Sequence, residues 1–322
     1  MVSDPADREK RWLTYAPPVD TRLLHTFLTL ARTGSFTAAA TELHLAQSTV
    51  TVQIRALEKE LGTRLFDRLP RGASITAAGR RLTEEAEAVL DAEARLRAAV
   101  AAGGPPAGRV VVGAGETLCS ARLPGVIAAL RGSHPGIEVD LAPVGTAAAV
   151  EGLRTGRLDI ALLLEEDVSF PGIAAEPLAH EPLVLLCAPG HPLACRTAPV
   201  TWEDLARETF FLHEQGCSYS DRLADRLLSV PGARMRLTRF GSIEAARSCV
   251  AAGLGLTLLP RATAEDALRE GRLAVVAGPP FPDVPVQVAR HRRRWVSPAA
   301  QTVVDELARH FPARAAAGEP PA

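Results

Sequence analysis

Apolar positions near the start of the chain recur at helical spacing. Leu23, Leu24, Phe27, Leu28, Leu30 and Ala31 share one face of a segment bounded by Asp20, a good N-cap, and Gly34, a good helix terminator. Ser35 or Thr37 can open a second, alanine-rich helix through Ala38, Ala39, Ala40 and Leu43, which breaks around His44 and Leu45. In a third helix Val50, Ile54, Leu57 and Leu61 stand at i, i+4, i+7 and i+11, a narrow inward stripe closed by Gly62. Ser48, Thr51, Val52, Arg55 and Lys59 then fall on its opposite side. Arg64 to Arg68 and Ala73 to Thr76 read as extended pieces around the turn Leu69-Pro70-Arg71-Gly72, a basic hairpin. From Ala77 to Ala102 the pattern predicts one long helix, with Leu82, Val89 and Leu96 seven residues apart and Ala92 and Ala99 beside them. Such a seam implies dimerisation through a partner helix.

Gly103-Gly104-Pro105-Pro106-Ala107-Gly108 breaks both helix and strand and reads as a hinge. Beyond it strands and helices alternate. RVVVGA, IEVDLAPV, LDIALLL, PLVLLCA, FFL, MRLTRF and LTLLP are strands, with helices from about Ser120 and from Thr146, Thr201, Ser220 and Ser242. This alternation predicts parallel α/β sheets. A final strand pair, LAVVA and VPVQVAR, precedes a terminal helix opened by Ser297-Pro298. About 200 residues of alternation suit two lobes with a cleft.

Charge sharpens the picture locally. The whole chain has a net charge of -1, yet Asp20 to Leu82 holds nine basic residues (Arg22, Arg32, Arg55, Lys59, Arg64, Arg68, Arg71, Arg80, Arg81) against five acidic ones. Nucleic-acid affinity must therefore reside in that patch. The five cysteines lack zinc-site spacing, and Pro189, Gly190 and Pro192 forbid the helix that Cys187, His191 and Cys195 would need to share a metal. Cys217 and Cys249 have no neighbouring charge pattern that would activate a redox thiolate. No run of eighteen apolar residues occurs, and MVSDPADREKRW mixes acids and bases where a secretion signal needs a cationic patch and an apolar run. The expectation is a cytoplasmic protein with no membrane contact.

A helix that is greasy on one side and carries small polar groups and arginine on the other suits a major groove. Gln47, Ser48, Thr49, Thr51 and Gln53 can hydrogen-bond base edges, Arg55 and Lys59 are placed for phosphate, and Val52 can meet a thymine methyl group. The plainer reading of Val52 is a surface valine. Ser35, opening the second helix, and Arg68 and Arg71 on the wing complete the candidate DNA-binding set; the alternative for both arginines is a solvated turn.

Phe27 to Leu82, centred on GSFTAAATELHLAQSTVTVQIRALEKELGTRLFDRLPRGASITAAGRRL, resembles the DNA-binding domain of the LysR-type transcriptional regulators. The resemblance continues through LPGVIAALRGSHPGIEV, GRLDIALL, GHPLA and GSIEAARSCVAAGLGLTLLP past residue 300. Departures occur where the family commonly has Pro, Ser and Arg and this chain has Ser48, Thr51 and Val52, so base preference does not carry over; the extension before Asp20 is also atypical. The resemblance implies an α/β fold with an N-terminal all-α winged helix-turn-helix, a long linker helix and a C-terminal two-lobed periplasmic-binding-protein-like (type 2) effector domain. The expected layout is an N-terminal extension (1–19), DNA-binding domain (20–78), linker helix (79–102), hinge (103–108), effector domain (109–312) and tail (313–322). Within the effector domain, lobe I spans about 109–180 and 285–312 and lobe II about 181–284. Expected partners are an interrupted palindromic site on double-stranded DNA, a second copy or three further copies of the chain, RNA polymerase, and a small-molecule co-inducer of unknown identity. No other cofactor is expected.

In the sensor half, Thr117, Thr146 and the Gly216-Cys217-Ser218 turn each follow a strand, where open α/β sheets bind ligands. Helix N-termini there favour an anionic effector. By resemblance Thr117 and Thr146 match effector-contacting positions, although each can be a plain helix cap; Leu118, Gly216, Ser218 and Ile243 complete the expected set. Val112-Gly113-Ala114-Gly115 suggests an NAD-type oxidoreductase, but the third glycine of that fingerprint would fall at Leu118. No nucleophile elbow, P-loop or zinc-protease motif is present, so no enzymatic activity is expected. A transport-type binding protein would need a secretion signal and has no use for a basic winged helix, and a ligand-independent architectural DNA binder would leave the α/β half without a role.

Overall fold

The computed structural model describes residues 20–69, 72–100, 104–213 and 215–311 of the 322-residue chain. The expected N-terminal extension and tail, and Arg71, expected on the wing, lie outside these. The chain divides into two compact units, Met1–Ala102 and Gly103–Ala322.

In the first unit, α1 (Thr21–Thr33) starts where the Asp20 carboxylate accepts the Arg22 N–H and stops at Gly34, whose φ of 61° is left-handed. Helix α2 (Phe36–Glu42) is capped by Ser35, and α3 (Gln47–Leu61) ends at the left-handed Gly62. Leu23, Leu24, Phe27, Leu30, Val50, Ile54 and Leu57 form the shared core. Leu61 departs from the expected stripe and stays 38% exposed. The chain turns at Gly62, and Leu65 and Phe66 enter the core instead, with the Phe66 ring 5.5 Å from Phe27.

The wing consists of β1 (Phe66–Leu69) and β2 (Gly72–Ile75), antiparallel with Phe66 opposite Ile75. Strand β2 is pinned near its turn end to the α1–α2 connection by Ala73 N–H donating to the Gly34 carbonyl at 2.7 Å. At Gly72, with φ of +125°, a Cβ would lie 2.5 Å from that same carbonyl oxygen, so only glycine fits. Thr76 then donates to the Arg64 carbonyl and accepts from Gly79 N–H, opening α4 (Ala77–Val100). Leu82, expected on the dimer seam, packs against the unit's own core because the first turns of α4 lie on it. Val89, Leu96 (67% exposed) and Val100 remain on the surface.

In the second unit, β3 (Gly108–Ala114), α5 (Glu116–Ala121), α6 (Leu123–Ser133), β4 (Ile137–Pro143), α7 (Thr146–Arg154), β5 (Ile160–Leu164) and β6 (Ile173–Glu181) come first. There follow β7 (Leu183–Cys187), α8 (Trp202–Leu205), β8 (Thr209–His213), α9 (Ser218–Leu228), β9 (Arg236–Phe240), α10 (Ile243–Ala251) and β10 (Thr257–Pro260). The unit closes with α11 (Glu265–Arg269), β11 (Ala274–Val275), β12 (Val284–His291) and α12 (Pro298–His310). The first sheet runs β4-β3-β5-β12-β6; a second region holds β10-β7-β11 and the pair β8-β9, bridged between Phe210 and Leu256.

The sheets are mixed rather than parallel. Strand β12 runs antiparallel to β5 and β6, and β7 antiparallel to β10 and β11, because the chain crosses between the regions twice and each return strand enters reversed. LAVVA and VPVQVAR therefore do not pair with each other: the first joins β7, the second β5 and β6. Strand β6 escapes sequence reading, since IAAEPLAHE contains a proline and one β-branched residue; pairing with β12 across a bulge at Val286/Gln287 holds it extended. Two helices begin earlier than expected, at Glu116 and Ser218. Separate cores lie under the two regions, one around Val110, Leu130 and Leu307, the other around Phe210, Leu223 and Leu256. Arg122 grips the buried Glu181 with two hydrogen bonds, 2.5 and 3.0 Å, at the first crossover.

Candidate DNA interface and effector cavity

Helix α3 is anchored by Val50, Ile54 and Leu57, each at most 1% exposed, which turns the remaining residues outward. Gln47, Ser48, Arg55 and Lys59 are exposed, Val52 is 63% exposed, and Thr49 and Thr51 are half-buried. The Thr51 hydroxyl donates to the Gln47 carbonyl at 3.0 Å. Ala46, the N-cap residue, supplies no side-chain acceptor and its carbonyl takes the Thr49 N–H, so the Gln47 and Ser48 N–H groups face an anion such as phosphate.

Two of the expected DNA contacts are engaged within the fold. Gln53 is half-buried and its Oε1 accepts the buried Thr26 hydroxyl at 2.6 Å, which fastens α3 to α1. Ser35 is half-buried and its Oγ accepts Ala38 N–H. Arg68 lies on β1 opposite Ala73. Sequence reading overlooked Glu58, whose Oε1 accepts Leu65 N–H at 2.8 Å and Phe66 N–H at 3.2 Å and so ties the end of α3 to the start of the wing. No local pattern signals that link, because the carboxylate serves backbone beyond the helix end.

In the second unit a cavity of about 630 Å³ opens at the C-terminal ends of β3, β4, β5 and β8. Gly115 to Thr117, Pro143 to Ala148 and Leu162 to Glu165 line one side; His213, Gln215 to Tyr219 and Gly241 line the other. Four of the expected effector residues are here: Thr117, Thr146, Gly216 and Ser218. The Ser218 hydroxyl donates to the Leu164 carbonyl at 2.6 Å, joining the two sides, and Gly216 N–H donates to Asp221. Leu118 and Ile243 do not line it. Both are buried within their own packing, Leu118 in the first core and Ile243 in an apolar cluster of the second region.

Sequence reading missed the cavity's ionisable groups. The Glu116 carboxylate crosses to accept Ile243 N–H at 3.0 Å and Ser242 hydroxyl at 3.4 Å, with His213 Nε2 3.9 Å away. Glu165 Oε1 accepts the Thr146 hydroxyl at 2.6 Å. Burial raises the Glu165 pKa, partly offset by the Thr146 and Ser218 hydroxyls and by Arg222. Burial also raises the pKa of Tyr219 well above its ordinary value and raises that of Cys217, which makes this thiol a poor redox nucleophile. A polar residue directly after a fully apolar strand, as Glu165 follows Leu164, was the available signal. No cluster of metal-ligating side chains exists among the described residues.

A winged helix-turn-helix with an open reading helix, carried on one chain with an α/β receptor whose cavity sits at strand ends, defines the class of ligand-sensing DNA-binding regulators. Comparison with known proteins agrees. Residues 21–80 match the bacterial regulatory helix-turn-helix protein, lysR family, and residues 103–312 match the LysR substrate binding domain. The chain is 32% identical over 294 residues to the uncharacterized HTH-type transcriptional regulator YwqM of Bacillus subtilis, covering 91% of this chain and 100% of that one. It is 30% identical over 291 residues to GltR of the same organism, covering 90% and 96%. A full-length OxyR variant from Pseudomonas aeruginosa superposes with a TM-score of 0.72 at 26% identity, covering 91% of this chain and 95% of that one. The chain belongs to the LysR family of transcriptional regulators: it binds DNA through its helix-turn-helix, carries an effector-binding domain of the two-lobed type and is not an enzyme. No helix among the described residues is long and apolar enough to cross a membrane.

Proposed function

We propose that the chain is a cytoplasmic regulator that binds an interrupted palindrome as a dimer or dimer of dimers, reading each half-site with α3 and holding its effector in the cavity between lobe I (about 109–180 and 285–312) and lobe II (about 181–284). The observation that carries the reading is the division of α3 into a buried stripe and an open face with Ser48, Val52 and Arg55. One such helix contacts too few bases for a unique site, which supports pairing of two. The exposed Val89, Leu96 and Val100 on α4 support that pairing through the linker helices. Effector binding favours one lobe arrangement by differential affinity, changes promoter bending and alters contact with RNA polymerase.

Selection of bound sequences from random duplex DNA tests this. The expected product is an inverted repeat with half-sites one or more helical turns apart. Thr51→Ala should relax preference at one base position per half-site by about 1–3 kcal/mol. Recovery of single, unrepeated sites refutes the paired reading, and equal loss on selected and random DNA refutes the base contact.

A further inference from the structure

We propose that the cavity takes a small zwitterion, a molecule with both an ammonium or guanidinium group and a carboxylate, the cation held by Glu165 and the carboxylate by the first turn of α7. The inference rests on the effector reading above and names the chemical class that the cavity recognises. Among the described lining residues the charged side chains are the carboxylates of Glu116 and Glu165, with no lysine or arginine. A ligand that is only an anion would meet two negative groups at close range.

The two carboxylates differ in what they already do. Glu116 is engaged with the first turn of α10, accepting from Ile243 N–H and the Ser242 hydroxyl. Glu165 sits half-buried just after β5 and receives one hydroxyl hydrogen bond, from Thr146, whereas the nearby Arg222 is paired with Glu166. A half-enclosed carboxylate served by a single hydroxyl gains most from a cation that arrives from the cavity. Beside it the N-cap of α7 is Gly145, which offers no side chain to the first-turn N–H groups, and Gly145, Thr146, Ala147 and Ala148 all line the same cavity. That helix end suits a carboxylate. An acceptor for the cation and donors for the anion thus flank one space, with Thr146 belonging to both.

The test uses the full-length protein and its thermal unfolding midpoint. The panel is the twenty common α-amino acids and 4-aminobutyrate, their N-acetyl derivatives, and the amine-free carboxylates succinate, 2-oxoglutarate and benzoate. At least one amine-bearing carboxylate should raise the midpoint, its N-acetyl derivative should not where acetylation leaves no other cationic group, and calorimetric titration should show Glu165→Gln weakening it by about tenfold to a hundredfold. Ala148→Trp, which fills the cavity from an exposed position, should abolish the shift. If no amine-bearing member shifts the midpoint, the proposal is overturned. Binding of an amine-free carboxylate that survives Glu165→Gln but not Ala148→Trp also overturns it, while the cavity stands as the effector site. A ligand bound equally by Ala148→Trp lies elsewhere, and the effector reading of the cavity falls as well.

Discussion

Removing the Glu58 carboxylate should free the wing while leaving α3 helical. Its Oε1 accepts two backbone N–H groups, Leu65 at 2.8 Å and Phe66 at 3.2 Å, just where the chain leaves the helix and enters β1. Hydrogen bonds to an ionised acceptor contribute roughly 1.5–3 kcal/mol each, and both share one half-buried oxygen, so Glu58→Ala should cost about 2–3 kcal/mol in total. Glu58→Gln keeps a neutral acceptor of the same length and should cost about 1 kcal/mol. Amide hydrogen exchange over residues 62–69 reads the effect locally. Glu58→Ala should speed exchange of Leu65 and Phe66 by roughly 30- to 150-fold, with Val50 to Leu57 unchanged. DNA affinity should fall with it, because the wing strand that carries Arg68 would no longer be held beside the reading helix. Exchange within twofold of wild type in Glu58→Ala, or equal effects of Ala and Gln, refutes the reasoning.

Arg55→Ala, at an exposed position on α3, should lower affinity for all duplexes alike and reduce the slope of log K against log salt by about one counterion; an unchanged slope removes Arg55 from the phosphate contacts. Gly72→Ala should destabilise the first unit by about 2 kcal/mol, read as a lowered unfolding midpoint, since its Cβ would meet the Gly34 carbonyl at 2.5 Å in a left-handed backbone; wild-type stability would show that the wing moves aside freely. For Glu165 the folded pKa is raised by burial, so its contribution to stability is present below the unfolded pKa and lost as pH rises through the folded value. Glu165→Gln should therefore leave the unliganded protein as stable as wild type or more so at neutral pH; a clear loss there would make Glu165 a structural residue.

Local chemistry sufficed for the first unit. Asp20, Ser35 and Gly34 act on backbone groups within four residues of themselves, and the Val50-Ile54-Leu57 stripe needs only the period of a helix, so α1 to α3 are legible along the chain. Ser297-Pro298 opens α12 for the same reason. Polar assignment was not local. Gln53 gives no local sign of its bond to Thr26, 27 positions away, and Leu61 looks like core until Leu65 and Phe66 occupy the space. Strand β6 exists because β12 pairs with it from more than a hundred residues downstream. The cavity is of this kind throughout: Glu116 meets Ile243 across 127 positions and Glu165 meets Thr146 across 19. Periodicity and capping report which side of an element is buried; which charge faces which donor depends on chain crossings, and those were decided only when the sheets assembled.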